Sequence, residues 1–115
     1  MAVGAEDLIQ LLRRIMAVDV EGREAGAENA SDWATVFDRE EAESVVLVLA
    51  NMASVERNSR VREAQLHAIL EISDTHPLRA GLVSSLGRLT SEDINEEQLS
   101  YLNELELGLR KRDDP

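Results

Sequence analysis

The feature that most constrains this sequence is an unbroken aliphatic run near its centre, Val45-Val46-Leu47-Val48-Leu49-Ala50. Such a run suits either a buried strand or a buried helix, and its length and flanks decide between them. Helix-compatible residues extend it over residues 40–53, far beyond the roughly five or six residues of a usual strand. We therefore expect a central helix that is apolar on almost every side.

Capping residues mark the start of this central helix and of its successor. Asp38 and Glu41 are three residues apart and form a capping-box pair ahead of the apolar run. Asn58 or Ser59 can cap the next helix, whose apolar stripe covers residues 61–72. These signals predict two consecutive helices joined by a short polar turn.

Apolar periodicity predicts three more helices. Residues 8–18 carry apolar side chains at spacings of three and four, and residues 78–89 form a shorter amphipathic segment. Asn95 and Gln98 make a second capping box ahead of a leucine-rich last helix. The chain, residues 1–115, is thus expected to be a single all-α domain of about five helices in antiparallel hairpins, as a small bundle or a short stack.

Two segments lack helical periodicity. Residues 22–29 include Gly22 and Gly26 among polar residues, and this composition predicts the longest loop of the protein. Residues 111–115 at the end of the last helix are expected to fray.

Charge is strongly acidic and uneven, with a formal net charge of −11. Residues 1–44 carry −7, residues 45–89 carry +1 and residues 90–115 carry −5. Such a field repels nucleic acid and anionic membranes and attracts basic protein surfaces. We expect a partner with a basic surface, and neither nucleic acid nor membrane as a ligand.

Other sequence features bear on where in the cell the protein is found. The chain has no cysteine, its N-terminus lacks the pattern of a secretory leader, and no apolar run reaches the roughly 18 residues that span a bilayer. A cytoplasmic protein is expected.

Motifs for catalysis, metal ions and cofactors are missing from the sequence. His67 and His76 are nine residues apart, without the i, i+4 partner of a helical zinc site, and Ser84-Ser85 lacks the surroundings of a nucleophile. The glycines match no phosphate-binding spacing. We therefore expect no enzymatic activity, cofactor or metal. An enzyme would require a ligand-sized cavity around His67 or Trp33.

The middle of the chain resembles a HEAT-like repeat. An apolar helix over residues 45–53 and a polar turn are followed by VREAQLHAILEI at residues 61–72, which is similar to the usual second-helix pattern. The resemblance implies a short HEAT-like stack, and it covers about a quarter of the chain. Taken whole, the small, acidic, cysteine-free helical chain also resembles the α-helical immunity proteins of bacterial toxin–immunity pairs. That resemblance implies tight binding to a cognate toxin domain, with acidic side chains covering the toxin's active site.

Candidate partner-binding residues fall into three groups. They are the first acidic cluster (Asp38, Glu40, Glu41 and Glu43), the second acidic cluster (Glu92, Asp93, Glu96 and Glu97) and the pair Asp32 and Trp33. Each cluster can instead be a solvated helix start whose carboxylates complement the helix dipole. Trp33 can anchor an interface, or it can close one end of the core together with Phe37.

Two functions are open at this point. The first is an immunity protein that neutralises a toxin by occluding its basic active site. The alternative is a HEAT-like scaffold or adaptor whose partner is not a toxin. The sequence leaves the oligomeric state open.

Overall fold

The computed structural model describes the backbone of residues 2–113 and the side chains of residues 2–106. That part of the chain contains five α-helices, one 3₁₀ helix and no strand. The elements are α1 (Ala5–Ile15), α2 (Val20–Asp32), α3 (Arg39–Val55), α4 (Ser59–Thr75), the 3₁₀ helix (Ala80–Arg88) and α5 (Glu96–Asp113). The predicted all-α fold of about five helices is confirmed.

The helices form three consecutive hairpins stacked in two layers. One layer contains α1, α3 and the 3₁₀ helix, and the other contains α2, α4 and α5. Neighbours within a layer run parallel: Arg60 in the first turn of α4 pairs with Glu24 of α2 at 2.9 Å, and Gln98 near the start of α5 donates to the Ser59 carbonyl at 2.9 Å. Of the two expected architectures, this arrangement favours the short stack of hairpins.

The core is aliphatic and is centred on α3. Val45, Val46, Leu49 and Ala50 have no exposed surface, whereas Leu47 is 43% exposed. The central run is thus buried on most of its circumference, as its composition predicts. Residues from all three hairpins join the same core, among them Leu11 and Ile15 of α1, Ile69 and Ile72 of α4, Leu82 and Leu86 of the 3₁₀ helix and Leu105 of α5.

A buried carboxylate, Glu56, joins the first hairpin to the second. It follows the last residue of α3, and its side chain is 3% exposed. Arg23 of α2 donates to its two oxygens at 2.7 and 3.0 Å, and Gln65 of α4 donates at 3.3 Å. The Glu56 backbone carbonyl accepts from the guanidinium of Arg62. One residue therefore fixes the positions of α2 and α4 relative to the end of α3.

The loop predicted at residues 22–29 is wrong, because this segment lies inside α2. Asp19 caps the helix by accepting from the Gly22 amide at 2.8 Å. The face of α2 that meets α1 is made of small residues, and a Cβ at Gly26 would lie 2.6 Å from backbone atoms of Arg14 and Ile15. Glycine there permits a close helix crossing, so the segment has few large apolar residues and shows no apolar period.

The predicted caps are largely confirmed. Asp38 and Glu41 form the reciprocal capping box of α3, and Asn58 caps α4 through the Val61 amide. The amphipathic segment at residues 78–89 forms a 3₁₀ helix that begins at Ala80, three residues after Pro77. Of the tail at residues 111–115, the first three continue α5, and residues 114–115 lie outside the described residues.

The Glu56 site leads to a stability prediction. Burial acts to raise the pKa of Glu56, but hydrogen bonds from Arg23 and from the Asn58 backbone outweigh it and leave the pKa lowered. Glu56→Gln should reduce the free energy of unfolding by about 3 kcal/mol near neutral pH, since it removes one partner of a largely buried ion pair. Urea denaturation at pH 7 measures the loss.

The pH dependence of that loss follows from the lowered pKa. Ionised Glu56 stabilises the fold above the ordinary glutamate pKa of about 4.3, and this stabilisation disappears as the pH falls through the lower folded-state pKa. The difference between wild type and Glu56→Gln should therefore shrink in acid. Glu43→Gln is the control, because it breaks an ion pair whose Arg79 side chain is 70% exposed, and it should cost less than about 1 kcal/mol. Equal losses in the two variants would contradict the role given to Glu56.

Candidate acidic binding groove

An open groove runs along the second layer between α2, α4 and α5. Its volume is about 330 Å³. The residues that line it, which we call the acidic groove, are Glu24, Glu28, Ser31, Asp32, Arg60, Glu63, Ala64, His67 and Tyr101.

Helical spacing explains why these side chains share one surface. Glu24, Glu28 and Asp32 follow one another at intervals of four along α2, which places them on one face of that helix. On α4, residues 60–67 repeat the pattern at intervals of three and four. Because α2 and α4 run parallel, the two faces border the groove along its length.

Carboxylates outnumber cations in the acidic groove. Arg60 is the basic residue among the described residues that line it, and it is already paired with Glu24. Glu28 and Asp32 are exposed, and Glu63 is half-buried. The groove therefore carries a local excess of negative charge that a cationic group from outside can neutralise.

A contact between two carboxyl groups closes the α5 side of the groove. The carboxyl group of Glu63 on α4 interacts with that of Glu97 in the first turn of α5. This interaction, together with burial, raises the pKa of Glu63, while His67 acts in the opposite direction. Two like charges in contact repel when both are ionised, so the pair favours either a proton or a bound cation.

His67 and Tyr101 form the aromatic part of the groove. Their ring centroids are 6.1 Å apart, and His67 Nε2 lies 3.4 Å from Glu71 Oε1. Burial and the nearby acids Glu97 and Glu63 raise the pKa of Tyr101. An aromatic ring beside carboxylates suits a guanidinium or ammonium group, which can contact both.

The first acidic cluster is mostly occupied by the fold. Asp38 caps α3, and Glu41, which is 7% exposed, accepts from the amides of Val3, Gly4 and Asp38. Glu43 pairs with Arg79 at 3.0 Å, and Glu40 is exposed in the first turn of α3. Asp38 and Glu41 thus hold the starts of α1 and α3 in place, and none of the four residues lines the acidic groove.

The second acidic cluster divides between two surfaces. Asp93 accepts from the Thr90 amide and hydroxyl, both at 2.9 Å, and these hydrogen bonds lower its pKa. Glu92 and Asp93 border a separate pocket, and Glu96 is exposed at the first residue of α5. Glu97 alone among the four contacts the acidic groove, through Glu63.

Gln98 shows how the predicted second capping box differs from the structure. The Asn95 side chain accepts from the Gln98 amide at 2.8 Å, so half of the box is present. The Gln98 side chain turns to Ser59 of α4 and donates to its carbonyl and its hydroxyl. It ties α5 to α4, which aligns Glu97 with Glu63.

Asp32 and Trp33 have different environments. Asp32 is exposed and lines the acidic groove. Trp33 is half-buried and packs against the core, and Phe37 is 3% exposed within it. Trp33 therefore contributes to the edge of the core, and its role in an interface stays a prediction.

Several groove residues were missing from the sequence-based candidates, namely Glu24, Glu28, Glu63 and Tyr101. The spacing of Glu24, Glu28 and Asp32 would have indicated an acidic helix face if residues 22–29 had been taken as helix. The contact of Glu63 with Glu97 joins residues far apart in sequence, and no local pattern indicates it.

No protein-family model matches the chain, and neither a curated protein nor a solved structure matches it. In the described part of the chain, no helix is both long enough and apolar enough to cross a membrane. The same residues contain no group of three or more histidine, aspartate or glutamate side chains that could hold a metal ion.

The carboxyl pair gives a pH-dependent prediction. The raised pKa of Glu63 means that its proton stabilises the fold below the ordinary glutamate pKa of about 4.3, and that this stabilisation is lost as the pH rises through the raised value. Glu63→Gln should therefore be more stable than wild type at pH 7 to 8 by about 0.2–0.5 kcal/mol, the usual cost of like charges side by side on helices.

Thermal unfolding followed from about pH 4 to pH 8 measures this difference, which should vanish at the acid end. Glu104→Gln is the matched control, because it removes an exposed carboxylate further along α5. A Glu63→Gln variant that loses stability at pH 8 would show that the pair does not repel.

Proposed function

We propose that this chain binds a basic surface of another protein through the acidic groove. The observation that carries the proposal is the imbalance of charge there. Glu28, Asp32 and Glu63 line the groove and Glu97 contacts it, while Arg60 is engaged by Glu24. A lysine or arginine side chain that entered the groove would relieve this repulsion and meet the ring of Tyr101.

The physical role of the groove follows from where its acids lie. At the start of α3, Asp38 and Glu41 already accept hydrogen bonds from backbone amides, so a partner gains little from them. In the groove, Glu63 instead meets Glu97, and Glu28 and Asp32 are exposed, so a cationic partner supplies a counter-charge. We expect association to be fast and sensitive to salt, because complementary charge mainly accelerates encounter and sets specificity.

The partner that we propose is a toxin domain with a basic active site, which the acidic groove would occlude. An enzyme that acts on a phosphate-bearing substrate needs such a basic site, and an acidic protein surface can occupy it in place of the substrate. The small size, the acidity and the stacked hairpins fit the resemblance to helical immunity proteins. The cell that makes the toxin would be protected by this chain.

A scaffold or adaptor with a non-toxic partner is the second candidate. The observation that favours it is the parallel stacking of α2, α4 and α5, since stacks of helical hairpins offer one continuous face to a partner. The groove and its charge would serve this role equally well. The two candidates differ in whether the partner is harmful to the cell.

Co-expression of this chain with its proposed partner distinguishes the immunity role from the scaffold role. The product of the gene next to that of this chain is expressed in a test host with and without this chain, and colony survival is counted. An immunity protein should restore growth. A neighbouring product that is harmless, or a toxic one that this chain fails to neutralise, would contradict the immunity role.

Matched charge variants test whether the groove is responsible. Glu28→Lys with Glu63→Lys reverses two acids of the groove, and Glu6→Lys with Glu40→Lys makes the same change of net charge at the starts of α1 and α3. Protection and affinity should fall at least tenfold in the first double variant and little in the second. Equal losses would mean that overall charge matters and that the groove does not.

A further inference from the structure

A second groove, apolar in character, lies between the 3₁₀ helix and α5. Its volume is about 650 Å³, and its walls include Val83 and Leu86 of the 3₁₀ helix and Leu99 and Leu102 of α5. Leu99 is 46% exposed although it is a large apolar residue. Glu106 is the charged residue among the described residues that line it.

The groove lies at the last hairpin of the stack. The 3₁₀ helix and α5 pack against the second hairpin more closely than against each other. Gly81 and Gly87 face open space, because a Cβ at either position would meet no atom within 4 Å.

The two elements that border this groove carry opposite charge. On the 3₁₀ side, residues 77–91 contain two arginines and no acid, and one of the two, Arg79, is paired with Glu43. On the α5 side, Glu106 lines the groove, whereas Glu97 and Glu104 lie on the side of the helix that carries Tyr101. Arg88, at the end of the 3₁₀ helix, is exposed. A partner whose surface carries charges of one sign would be attracted to one edge of the groove and repelled by the other.

We infer that the apolar groove is the interface of a homodimer, in which a twofold axis packs the 3₁₀ helix of each copy against α5 of the other. This arrangement places the basic edge of each copy on the acidic edge of the other, and it does so twice. The dimer would also cover the exposed side chain of Leu99 and the backbone at Gly81 and Gly87, which no neighbouring atom shields. Two copies of a chain with net charge −11 repel elsewhere, so a nearly uncharged face with complementary edges is where they can meet.

The dimer would leave the acidic groove accessible. Leu99, Asn103 and Glu106 project from the side of α5 opposite Tyr101, which lines the acidic groove. The inference is therefore independent of the proposed function.

Sedimentation equilibrium of the purified chain tests the inference directly. The monomer mass is 12.8 kDa, and we expect twice that mass at concentrations of about 10–100 µM, where an interface of micromolar affinity is occupied. Leu99→Glu should return the protein to the monomer mass. Leu47→Glu is the matched control on α3, where the same residue type is 43% exposed, and it should remain dimeric.

A charge exchange tests the geometry. Arg88→Glu should weaken the dimer about tenfold, and adding Glu106→Arg to the same chain should restore it, because the opposite edges then attract again. Circular dichroism confirms that each variant keeps its helices. A wild-type chain that stays at 12.8 kDa up to about 100 µM, a dimeric Leu99→Glu variant, or dissociation by Leu47→Glu as well would each overturn the inference.

Discussion

The ion pair between Glu56 and Arg23 is the interaction on which the arrangement of the hairpins depends. Glu56 is buried at the turn between α3 and α4, where its carboxylate takes hydrogen bonds from α2 and α4 and its carbonyl takes one from Arg62. A buried carboxylate without such partners would be strongly unfavourable, so the helices that supply them are held in one register. That register places the acidic faces of α2 and α4 side by side, and the groove follows from it.

The sequence predicted the elements whose packing relies on large aliphatic side chains. The run at residues 45–50 and the capping box of Asp38 and Glu41 identified α3, and Asn58 marked the start of α4. The prediction from sequence failed for α2. This helix contacts α1 through glycine and alanine, and close packing of small residues leaves no apolar periodicity to detect. The 3₁₀ geometry of residues 80–88 also has no local signal beyond Pro77 and two glycines.

The site was less predictable than the fold, for a physical reason. Carboxylates at or just before helix starts, such as Glu41 and Asp93, form conspicuous clusters in the sequence, yet they accept hydrogen bonds from backbone amides. The carboxylates of the groove are spread over three helices, and only tertiary packing brings Glu63 to Glu97. Of the sequence-based candidates, Asp32 lines the groove and Glu97 contacts it through Glu63, because the packing of α2, α4 and α5 brings them there.

In the proposed function, the groove receives cationic groups and the acidic helix starts do not. An NMR titration of the labelled protein with an octa-arginine peptide tests it most directly. Saturable chemical-shift changes of backbone amides should be largest around Glu28, Asp32 and Glu63, and they should become smaller as salt is added. Shifts that concentrate at Glu40 or Glu92, or that are spread evenly over every acidic helix start, would contradict the account.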